Sequence, residues 1–370
     1  MHRVLLLGAG KIGRAIASLL HRCGDYDVLV ADTDPQALGK LADMIPVRTI
    51  RADASNAAEL RSLMTERDSV VSALVFSANP LVARVAVETG TSYFDLTEDV
   101  ATTRAVRLLA DQCQDGRILM PQCGLAPGFI SVAASHLIQQ FDSLDSVHMR
   151  VGALPQFPSN TLKYNLTWST DGLINEYCNS CEAIHEGRLI DVLPMEGYEQ
   201  FSLDGVRYEA FNTSGGLGTL CETMQGKVRE LNYRTVRYTG HRDLMQFLLS
   251  GLRLSERRTL LKEILENALP VTYQDVVITF VNVAGMKNGQ FVQISDARKI
   301  YHQEIDGRHW GAIQITTAAG ICAALDLHVA GRLPARGFIR QEDIQFPDFI
   351  SNRFGRYYDG GTEVRMDRVT

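Results

Sequence analysis

The sequence lacks a long uninterrupted apolar run and an excess of basic residues. No apolar run approaches the roughly 20 residues that span a bilayer, so we expect no membrane contact. Lys11 and Arg14 interrupt the apolar N-terminus, which argues against a secretory signal peptide. The formal charge of −6 argues against nucleic acid and anionic membranes as main partners.

The sequence also lacks a regular cysteine pattern. Its seven cysteines are odd in number and scattered, which is typical of reduced thiols in a cytoplasmic protein rather than of a disulfide framework. Cys178, Cys181 and His185 have no second ligand pair of recognisable spacing, so we expect no metal. With 370 residues, of which 45% are hydrophobic and 22% charged, the chain is long enough for two domains.

The most informative motif lies at the N-terminus. An apolar run at residues 3–7 leads directly into Gly8-Ala9-Gly10-Lys11-Ile12-Gly13 and then into an apolar helical stretch. A strand, a glycine turn and a helix in this order form the context in which the motif binds a dinucleotide. Gly8 permits the tight turn, Gly10 lets the backbone approach the pyrophosphate, and Gly13 allows close helix–strand packing. Amide groups at the helix N-terminus favour the phosphates.

Asp32 indicates which dinucleotide binds. It ends the next apolar run, residues 27–32. A carboxylate at the tip of the second strand accepts hydrogen bonds from the adenosine ribose and repels a 2′-phosphate. No arginine follows it in the residues up to Gln36. The pattern therefore favours NAD, the alternative being a plain helix N-cap at Asp32 or Asp34.

Two further residues at predicted strand ends are candidates for cofactor contacts. Asp53 ends a third strand, predicted for residues 47–53, near the place where an adenine would lie. It would cap the next helix equally well. Phe76 ends a fourth strand, predicted for residues 70–76, where its ring could pack on the cofactor or simply belong to the core.

The first third of the chain alternates short apolar runs with helical patterns. After the four strands above, the pattern predicts strands at residues 92–96 and 117–121. This β-α-β rhythm predicts an α/β fold with a Rossmann-type, doubly wound parallel sheet in a dinucleotide-binding domain of residues 1–122.

The pattern changes in the second part of the chain. Alternating runs from about residue 145 predict antiparallel strands and hence an α+β substrate-binding and dimerisation domain, residues 123–311. An alanine-rich helix near residues 316–330 is predicted to return to the first domain within a segment of about 312–345. Residues 346–370 show no period and form a predicted C-terminal tail. We expect a homodimer, because an exposed sheet face needs cover.

Five segments carry a family resemblance: Gly8–Gly13, Tyr93–Thr97, Cys123–Phe129, Thr213–Leu217 and Leu231–His241. They resemble the saccharopine dehydrogenase-like oxidoreductases, and within that family the lysine 6-dehydrogenase branch. The resemblance covers most of the chain, and the third and fifth segments are its specific ones. It implies NAD(P)-dependent oxidation of an amine, or reduction of the matching imine, on an amino-acid-derived substrate. Thr239 departs from the family pattern, which often has proline there.

Asp95 and Cys123 are the candidate catalytic residues. Asp95 ends the fifth strand and Cys123 follows the sixth, at the edge where open α/β sheets bind ligands. Oxidation of an amine by hydride transfer requires a neutral nitrogen, so a carboxylate is needed to accept the proton. Asp95 is the candidate, although it could instead cap the following loop, with Glu98 and Asp99 as runner-up acids. The resemblance puts Cys123 near the substrate, as a weak proton donor or as part of the pocket wall.

Arg237, His241 and Gly216 are the candidate substrate-binding residues. A substrate carboxylate calls for a guanidinium fork. Arg234 and Arg237 face opposite sides of a regular strand, and the resemblance favours Arg237 over the alternative of a solvated surface residue. His241 could bind substrate or cap the following helix, and Gly216 could approach the substrate or form a hairpin turn.

These observations predict NAD-dependent oxidative deamination of the ε-amino group of L-lysine to 2-aminoadipate 6-semialdehyde. One alternative is a saccharopine-type or carboxy(nor)spermidine-type dehydrogenase, which condenses an amine reductively with a carbonyl compound. Substrates of that kind carry extra carboxylates and call for more arginines in the pocket. The other alternative is a non-catalytic NAD-binding sensor.

Overall fold

The computed structural model describes residues 1–359 and 362–366. They divide into two compact units, the first formed by residues 1–132 and 314–359 and the second by residues 133–313 and the strand at 362–366. The division falls after residue 132, whereas the sequence analysis set it after residue 122. Residues 346–359, which the sequence analysis assigned to a tail, are part of the first unit.

Strands and helices alternate in the first part of the chain. In order they are β1 (His2–Leu7), α1 (Lys11–Cys23), β2 (Tyr26–Asp32), α2 (Pro35–Ala42), β3 (Arg48–Arg51), α3 (Ala57–Met64), β4 (Ser69–Ser72), α4 (Asn79–Thr89), β5 (Ser92–Asp95), α5 (Val100–Arg107), β6 (Ile118–Met120) and α6 (Phe129–Ile138).

The rest of the chain is richer in strands. It continues with β7 (Ser143–Pro155), α7 (Thr170–Cys178), β8 (Cys181–His185), β9 (Arg188–Val192), β10 (Glu199–Leu203), β11 (Val206–Asn212), α8 (Leu220–Met224), β12 (Glu230–Tyr238), α9 (His241–Gln246), α10 (Arg258–Ala268), β13 (Asp275–Lys287), β14 (Gln290–Tyr301), β15 (Gln303–Ile305), β16 (Arg308–Trp310), α11 (Ala312–Val329), β17 (Gly337–Phe338), α12 (Phe346–Ser351) and β18 (Thr362–Met366).

The sheet of the first unit has the strand order β17-β6-β5-β4-β1-β2-β3, and each of its pairs is parallel. The chain builds outward from β1 through β2 to β3, then crosses back to β4 and builds outward on the other side. Ligands of such sheets bind at the carboxyl ends of the strands, near this reversal. The predicted doubly wound parallel sheet is confirmed.

Burial on both faces explains the apolar runs of this sheet. Residues Val4 to Leu7 of β1 are at most 2% exposed. They belong to a core that helices α3 and α4 complete, whose members include Leu5, Leu7, Leu60, Met64, Val70, Val82, Ala86, Tyr93 and Leu119. Strands covered on both sides carry continuous rather than alternating hydrophobic residues.

The second unit contains a mixed sheet of order β10-β11-β12-β7-β13-β14-β18, to which β8 and β9 are added beside β12. The sequence analysis expected antiparallel strands here. Most pairs are antiparallel, but β7 and β12 run parallel at the centre of the sheet. Alternation of side chains does not distinguish the two directions, because both kinds of strand alternate with a period of two.

Helix α11 is apolar around its circumference. The helix has 18 residues and a mean hydropathy of 1.4, so it is long and apolar enough to span a membrane. However, 78% of the helix is buried within the structure. An apolar helix buried to this extent is typical of a protein core.

Asp326 on α11 joins distant parts of the first unit. Its carboxylate accepts hydrogen bonds from the Tyr26 hydroxyl (2.5 Å), Arg353 (2.6 Å) and the Asn352 side chain (2.7 Å). These three donors outweigh the effect of burial and lower the pKa of Asp326. The carboxylate of Asp326 therefore links the segment after α12 to both β2 and α11.

We expect Asp326→Ala to lower the free energy of unfolding by about 2–4 kcal/mol, because it leaves the buried Tyr26 hydroxyl without its acceptor and removes one of the two carboxylates that pair with Arg353. Urea unfolding at neutral pH measures this change. Asp348→Ala is the matched control: it removes the more exposed ion pair with Arg332 and should cost at most about 1 kcal/mol. Equal effects of the two substitutions would contradict the role given to Asp326.

Candidate functional site

The glycine turn after β1 has the backbone that its sequence predicts. Gly8 has φ +99°, which disfavours other residues. A Cβ at Gly13 would lie 1.9 Å from the Gly8 carbonyl oxygen, so the glycine allows α1 to pack directly on the turn. A Cβ at Gly10 would meet nothing within 4 Å. The first and third glycines are thus required by the protein itself, whereas Gly10 borders open space.

The open space lies at the N-terminus of α1. Gly10 is the N-cap, and among the described residues no side chain caps this end of the helix. Lys11 and Ile12 follow in the first turn and are half-buried, while Ala9 is fully buried beneath the turn. Uncapped first-turn amides facing open space form a site that suits a phosphate group.

Asp32 contacts the glycine turn directly. One carboxylate oxygen accepts a hydrogen bond from the Ala9 amide (2.6 Å) and the other from the Asp34 amide (2.9 Å). The N-cap of α2 is Asp34, which accepts from the Gln36 amide, so the capping alternative holds for Asp34 and not for Asp32. Asp32 lies at the end of β2, beside the phosphate site, with its role as a ribose ligand still a prediction.

Arg51 is a neighbour of Asp32 that the sequence analysis missed. Strands β2 and β3 pair Asp32 with Arg51, and Arg51 Nε donates to the Thr33 carbonyl (3.3 Å). The expectation that Asp32 has no arginine nearby considered only the residues that follow it in the chain. The signal was the arginine two residues before the end of the third predicted strand, which parallel pairing brings beside Asp32.

Two of the candidate cofactor contacts lie differently from expectation. Strand β4 ends at Ser72, and Phe76 begins a one-turn 3₁₀ helix, so it is not at the strand's end. Asp53 is exposed beyond β3, where it accepts from the Ser55 amide (2.8 Å), and this contact lowers its pKa. Asn56, not Asp53, caps α3.

Asp95 is completely buried at the end of β5. Its Oδ1 accepts from the amides of Thr97 and Gln122 (both 2.9 Å), and its Oδ2 accepts from the Tyr93 hydroxyl (2.5 Å). Burial raises the pKa of Asp95 to about 6, although these three donors act in the opposite direction. The carboxylate therefore ties together the loops that follow β5 and β6.

Cys123 is held in the loop after β6. Its amide donates to the Asp95 carbonyl (2.8 Å), its Sγ lies 3.0 Å from the Met120 carbonyl, and Gln341 Nε2 donates to Sγ (3.2 Å). Burial raises the pKa of the thiol well above its ordinary value. The sequence analysis missed Gln341, which lies 218 positions along the chain.

Arg237 is a buried cation in the second unit, 2% exposed on β12. Its Nε donates to the Tyr177 hydroxyl (2.7 Å) and its Nη1 to the Val236 carbonyl (2.8 Å). The guanidinium carbon lies 5.1 Å from the ring centre of Tyr164 and 5.6 Å from that of Tyr177. Burial acts to lower the pKa of Arg237, but Tyr177, Tyr164 and Glu176 outweigh it, so the group stays charged.

His241 acts on Arg237 through the Tyr177 hydroxyl. Its Nδ1 lies 2.8 Å from the Leu162 carbonyl, which can only accept, so Nδ1 carries the proton. Its Nε2 then accepts from the Tyr177 hydroxyl (3.0 Å), whose oxygen accepts from Arg237. Burial and the charge of Arg237 lower the pKa of His241 to about 3. Both ring nitrogens are engaged, so His241 positions Tyr177 rather than contacting a ligand.

Glu209 fixes the start of α9, where His241 lies. It is the cross-strand partner of Arg237, but its carboxylate accepts from the amides of Gly240 (2.7 Å) and Arg242 (2.6 Å). Among the described residues, no ion pair within 4.0 Å involves Arg237. The guanidinium is thus charged and enclosed, and Glu176, the carboxylate that acts on it electrostatically, lies outside ion-pair distance.

The remaining candidates have local explanations. Arg234 pairs with Glu199, which also pairs with Arg150, so Arg234 belongs to a separate ion-pair group. A Cβ at Gly216 would lie 2.3 Å from the Tyr233 ring, so the glycine is needed for packing whatever its part in binding. Tyr164, Tyr177 and Glu209 escaped the sequence analysis because tyrosines and acids in such runs are usual core or surface residues.

Cys178, Cys181 and His185, whose spacing raised the question of a metal site, are two free thiols and a histidine that contacts an acid. Cys178 and Cys181 are free thiols, like the five other cysteines. His185 Nδ1 lies 2.9 Å from Glu230, and Arg229 pairs with both Glu230 and Glu186 in the same exposed group.

Family models match nearly the whole chain. The model described as saccharopine dehydrogenase NADP binding domain matches residues 4–120, and the saccharopine dehydrogenase C-terminal domain matches residues 124–355. Mitochondrial alpha-aminoadipic semialdehyde synthase of Rattus norvegicus is 20% identical over 359 residues. The alignment covers 90% of this chain but only 37% of that protein, so the chain spans little more than a third of this relative.

Solved structures share the fold. The apo form of saccharopine dehydrogenase (L-Glu forming) from Saccharomyces cerevisiae matches with a TM-score of 0.82 at 17% identity, covering 98% of this chain and 100% of that one. Homospermidine synthase from Legionella pneumophila, in complex with NAD, matches with a TM-score of 0.69 at 14% identity, covering 98% of this chain and 91% of the other.

We expect Gly10→Ala to leave the fold intact and to weaken dinucleotide binding. The added methyl meets no protein atom, so stability should change by less than about 1 kcal/mol, while overpacking against the pyrophosphate should cost about 1–3 kcal/mol of affinity. Fluorescence titration with NADH and thermal unfolding measure the two quantities. Gly39→Ala, also free of contacts but on the exposed surface of α2, should leave affinity unchanged. Unaltered NADH affinity in Gly10→Ala would exclude a phosphate site at this turn.

We expect His241 to make the protein less stable in acid. Its pKa is 6.5 unfolded and about 3 folded, so between these values the unfolded chain binds one proton more. The free energy of unfolding therefore falls as pH falls, by about 1.4 kcal/mol per pH unit. In His241→Gln the slope between pH 6 and 4 should be smaller by this amount, as urea unfolding at several pH values would show. An identical slope in the variant would contradict a neutral, buried His241.

Proposed function

The chain belongs to the saccharopine dehydrogenase family, and from that premise we propose that it oxidises the ε-amine of L-lysine with NAD, giving 2-aminoadipate 6-semialdehyde and ammonia. The family makes it an oxidoreductase whose first unit binds NAD(P). The proposal goes further in naming the amine, the direction of the reaction and the cofactor.

The enclosed cation of Arg237 is the observation that carries the proposal. A buried charge with no carboxylate in direct contact is costly, and a bound carboxylate relieves that cost. Tyr177 holds one edge of the guanidinium, so the group is oriented before a ligand arrives. Arginine binds carboxylates in a planar, two-point geometry. This supports an amino-acid substrate that presents one carboxylate to the second unit.

The other buried arginines of the second unit argue against a substrate with several carboxylates. Arg150 and Arg298 are 3% and 8% exposed, and they pair with Glu199 and Asp296, respectively. Their charges are already neutralised. Saccharopine carries several carboxylates, which would call for several unpaired cations, whereas lysine carries one.

A polyamine substrate fits the site less well than lysine does. The Legionella pneumophila structure with the same fold is a homospermidine synthase. Polyamines carry only positive charge, so Arg237 would repel them. The same argument separates lysine from its decarboxylated analogue, 1,5-diaminopentane.

The first unit fits a dinucleotide. The open space at Gly10, the uncapped N-terminus of α1 and the carboxylate of Asp32 would hold its pyrophosphate and ribose. When bound, the nicotinamide supplies a hydride acceptor. Asp32 and Asp34 disfavour a 2′-phosphate and Arg51 favours one, and we propose NAD because the acids outnumber the arginine. A homodimer and a cytoplasmic location stay predictions.

Steady-state assays with NAD and NADP test the function. We expect reduction of NAD with L-lysine, and little with saccharopine or 1,5-diaminopentane, followed by the absorbance of the reduced cofactor. Turnover of saccharopine without turnover of lysine would contradict the proposal and would indicate a saccharopine-type dehydrogenase, whose reductive condensation then runs in reverse. Binding of NADH without turnover of any amine would favour a sensor.

Arg237→Gln should raise the KM for L-lysine by about 30-fold or more, since losing one partner of a buried charge pair costs about 2–5 kcal/mol. The same change should remove the discrimination against 1,5-diaminopentane. Arg234→Gln, three residues earlier on β12, is the control and should leave that discrimination intact. If Arg237→Gln affects lysine and 1,5-diaminopentane equally, Arg237 does not bind the carboxylate.

A further inference from the structure

The proposed oxidation requires a group that takes a proton from the substrate, and the structure changes which residue this is. At neutral pH the ε-amine of lysine is an ammonium ion, which has no lone pair to stabilise the developing cation. A carboxylate at the edge where ligands bind must remove that proton. The inference below rests on the proposed function.

Asp95 is poorly placed for this step. Its carboxylate is 0% exposed, and its two oxygens are occupied by the amides of Thr97 and Gln122 and by the Tyr93 hydroxyl. Its Oδ2 keeps one lone pair beside the 2.5 Å bond from Tyr93, but the carboxylate is enclosed by protein, so a substrate ammonium does not reach it in this structure.

The other titratable groups near this loop are also engaged. Asp99 is the N-cap of α5 and accepts from the Thr102 amide (2.6 Å). Tyr93 donates to Asp95, and Cys123 is held by the Met120 carbonyl and Gln341. Burial raises the pKa of both Tyr93 and Cys123 well above the ordinary values, so neither is an anion at neutral pH.

Glu98 lies between these fixed positions. On one side the Thr97 amide is bound to Asp95, and on the other the Asp99 amide donates to Thr97 Oγ1 (3.2 Å). The backbone at Glu98 is thus held, while the side chain is half-buried rather than enclosed. Among residues 1–359, the donor that contacts its carboxylate is its own backbone amide, and no lysine or arginine pairs with it. We propose that Glu98 is the catalytic residue that accepts the proton of the substrate ammonium.

The surroundings of Glu98 suit a base. Burial raises the pKa of Glu98, and the negative charges of Asp99 and Asp95 raise it further, whereas its own amide acts in the opposite direction. No cation opposes these effects among the described residues. A carboxylic acid with a raised pKa is a stronger base when it is ionised.

The step is a proton transfer and balances without an oxidant. An N–H bond of the substrate ammonium breaks, its electron pair stays on nitrogen, and an O–H bond forms on Glu98. The neutral amine can then lose hydride from its ε-carbon in the oxidation already proposed. Glu98 returns its proton to solvent before the next turnover.

The pH dependence of kcat/KM for L-lysine tests the inference, with Glu98→Gln compared against Asp95→Asn. In wild-type protein the rate should fall in acid as the base is protonated. We expect Glu98→Gln to lower kcat/KM by about 100-fold or more at neutral pH and to remove the inflection that ionisation of the base gives this acid limb. The rate of the variant should instead rise about tenfold per pH unit toward the ordinary pKa of a free amine, near 10.4, because only neutral lysine then reacts.

Asp95→Asn is the matched control, since it removes the same charge three residues away. It should keep the acid limb, because Asn retains an acceptor for the two amides. NADH affinity should stay within about twofold in Glu98→Gln, which separates a loss of the base from a loss of cofactor binding. Glu98→Asp, which keeps a carboxylate, should restore the limb with a lower kcat.

Two outcomes would overturn the inference. One is an acid limb in Glu98→Gln that keeps the wild-type inflection, and the other is loss of that inflection in Asp95→Asn but not in Glu98→Gln. Failure of the proposed function is distinct from both, because wild-type protein itself would then oxidise no lysine.

Discussion

The carboxylate of Asp95 is the constraint on which the first unit's site depends. It is shared among two backbone amides and one phenol, and the carbonyl of the same residue accepts the Cys123 amide. One residue therefore sets the path of the chain after β5 and again after β6. A charge used so fully for structure has little capacity for chemistry, and the reactive role passes to a neighbour whose backbone that same network holds in place.

In the second unit, by contrast, one buried charge has no oppositely charged group in contact. Arg150 and Arg298 have acidic partners, but Arg237 is enclosed by aromatic rings and by a hydroxyl that His241 orients. Neutral partners orient a cation without neutralising it. The cost of keeping Arg237 charged with no carboxylate in contact lowers the stability of the free protein, and the proposed carboxylate ligand would remove part of that cost on binding. Stability and affinity are therefore set against each other at one residue.

Features encoded in consecutive residues were predictable, and features made by distant contacts were not. The glycine turn, the acid at the end of β2 and the parallel sheet follow from local pattern, because strand, turn and helix are adjacent in the chain. The enclosure of Asp95 and the chain from Arg237 through Tyr177 to His241 depend on packing between distant segments. Phe76 was misplaced because the apolar run continues past the last paired residue of β4, and hydrophobicity alone does not mark where pairing stops.

The choice between the two nicotinamide cofactors shows how far such local reasoning extends. Asp32 uses both oxygens to hold the amides of Ala9 and Asp34, yet each carboxylate oxygen can accept a second hydrogen bond, so a ribose hydroxyl still has an acceptor. Parallel pairing puts Arg51 beside it, with its Nε engaged by the Thr33 carbonyl. A 2′-phosphate would gain one cation there but face two carboxylates at the same strand end. Two acids against one arginine are the reason for proposing NAD rather than NADP.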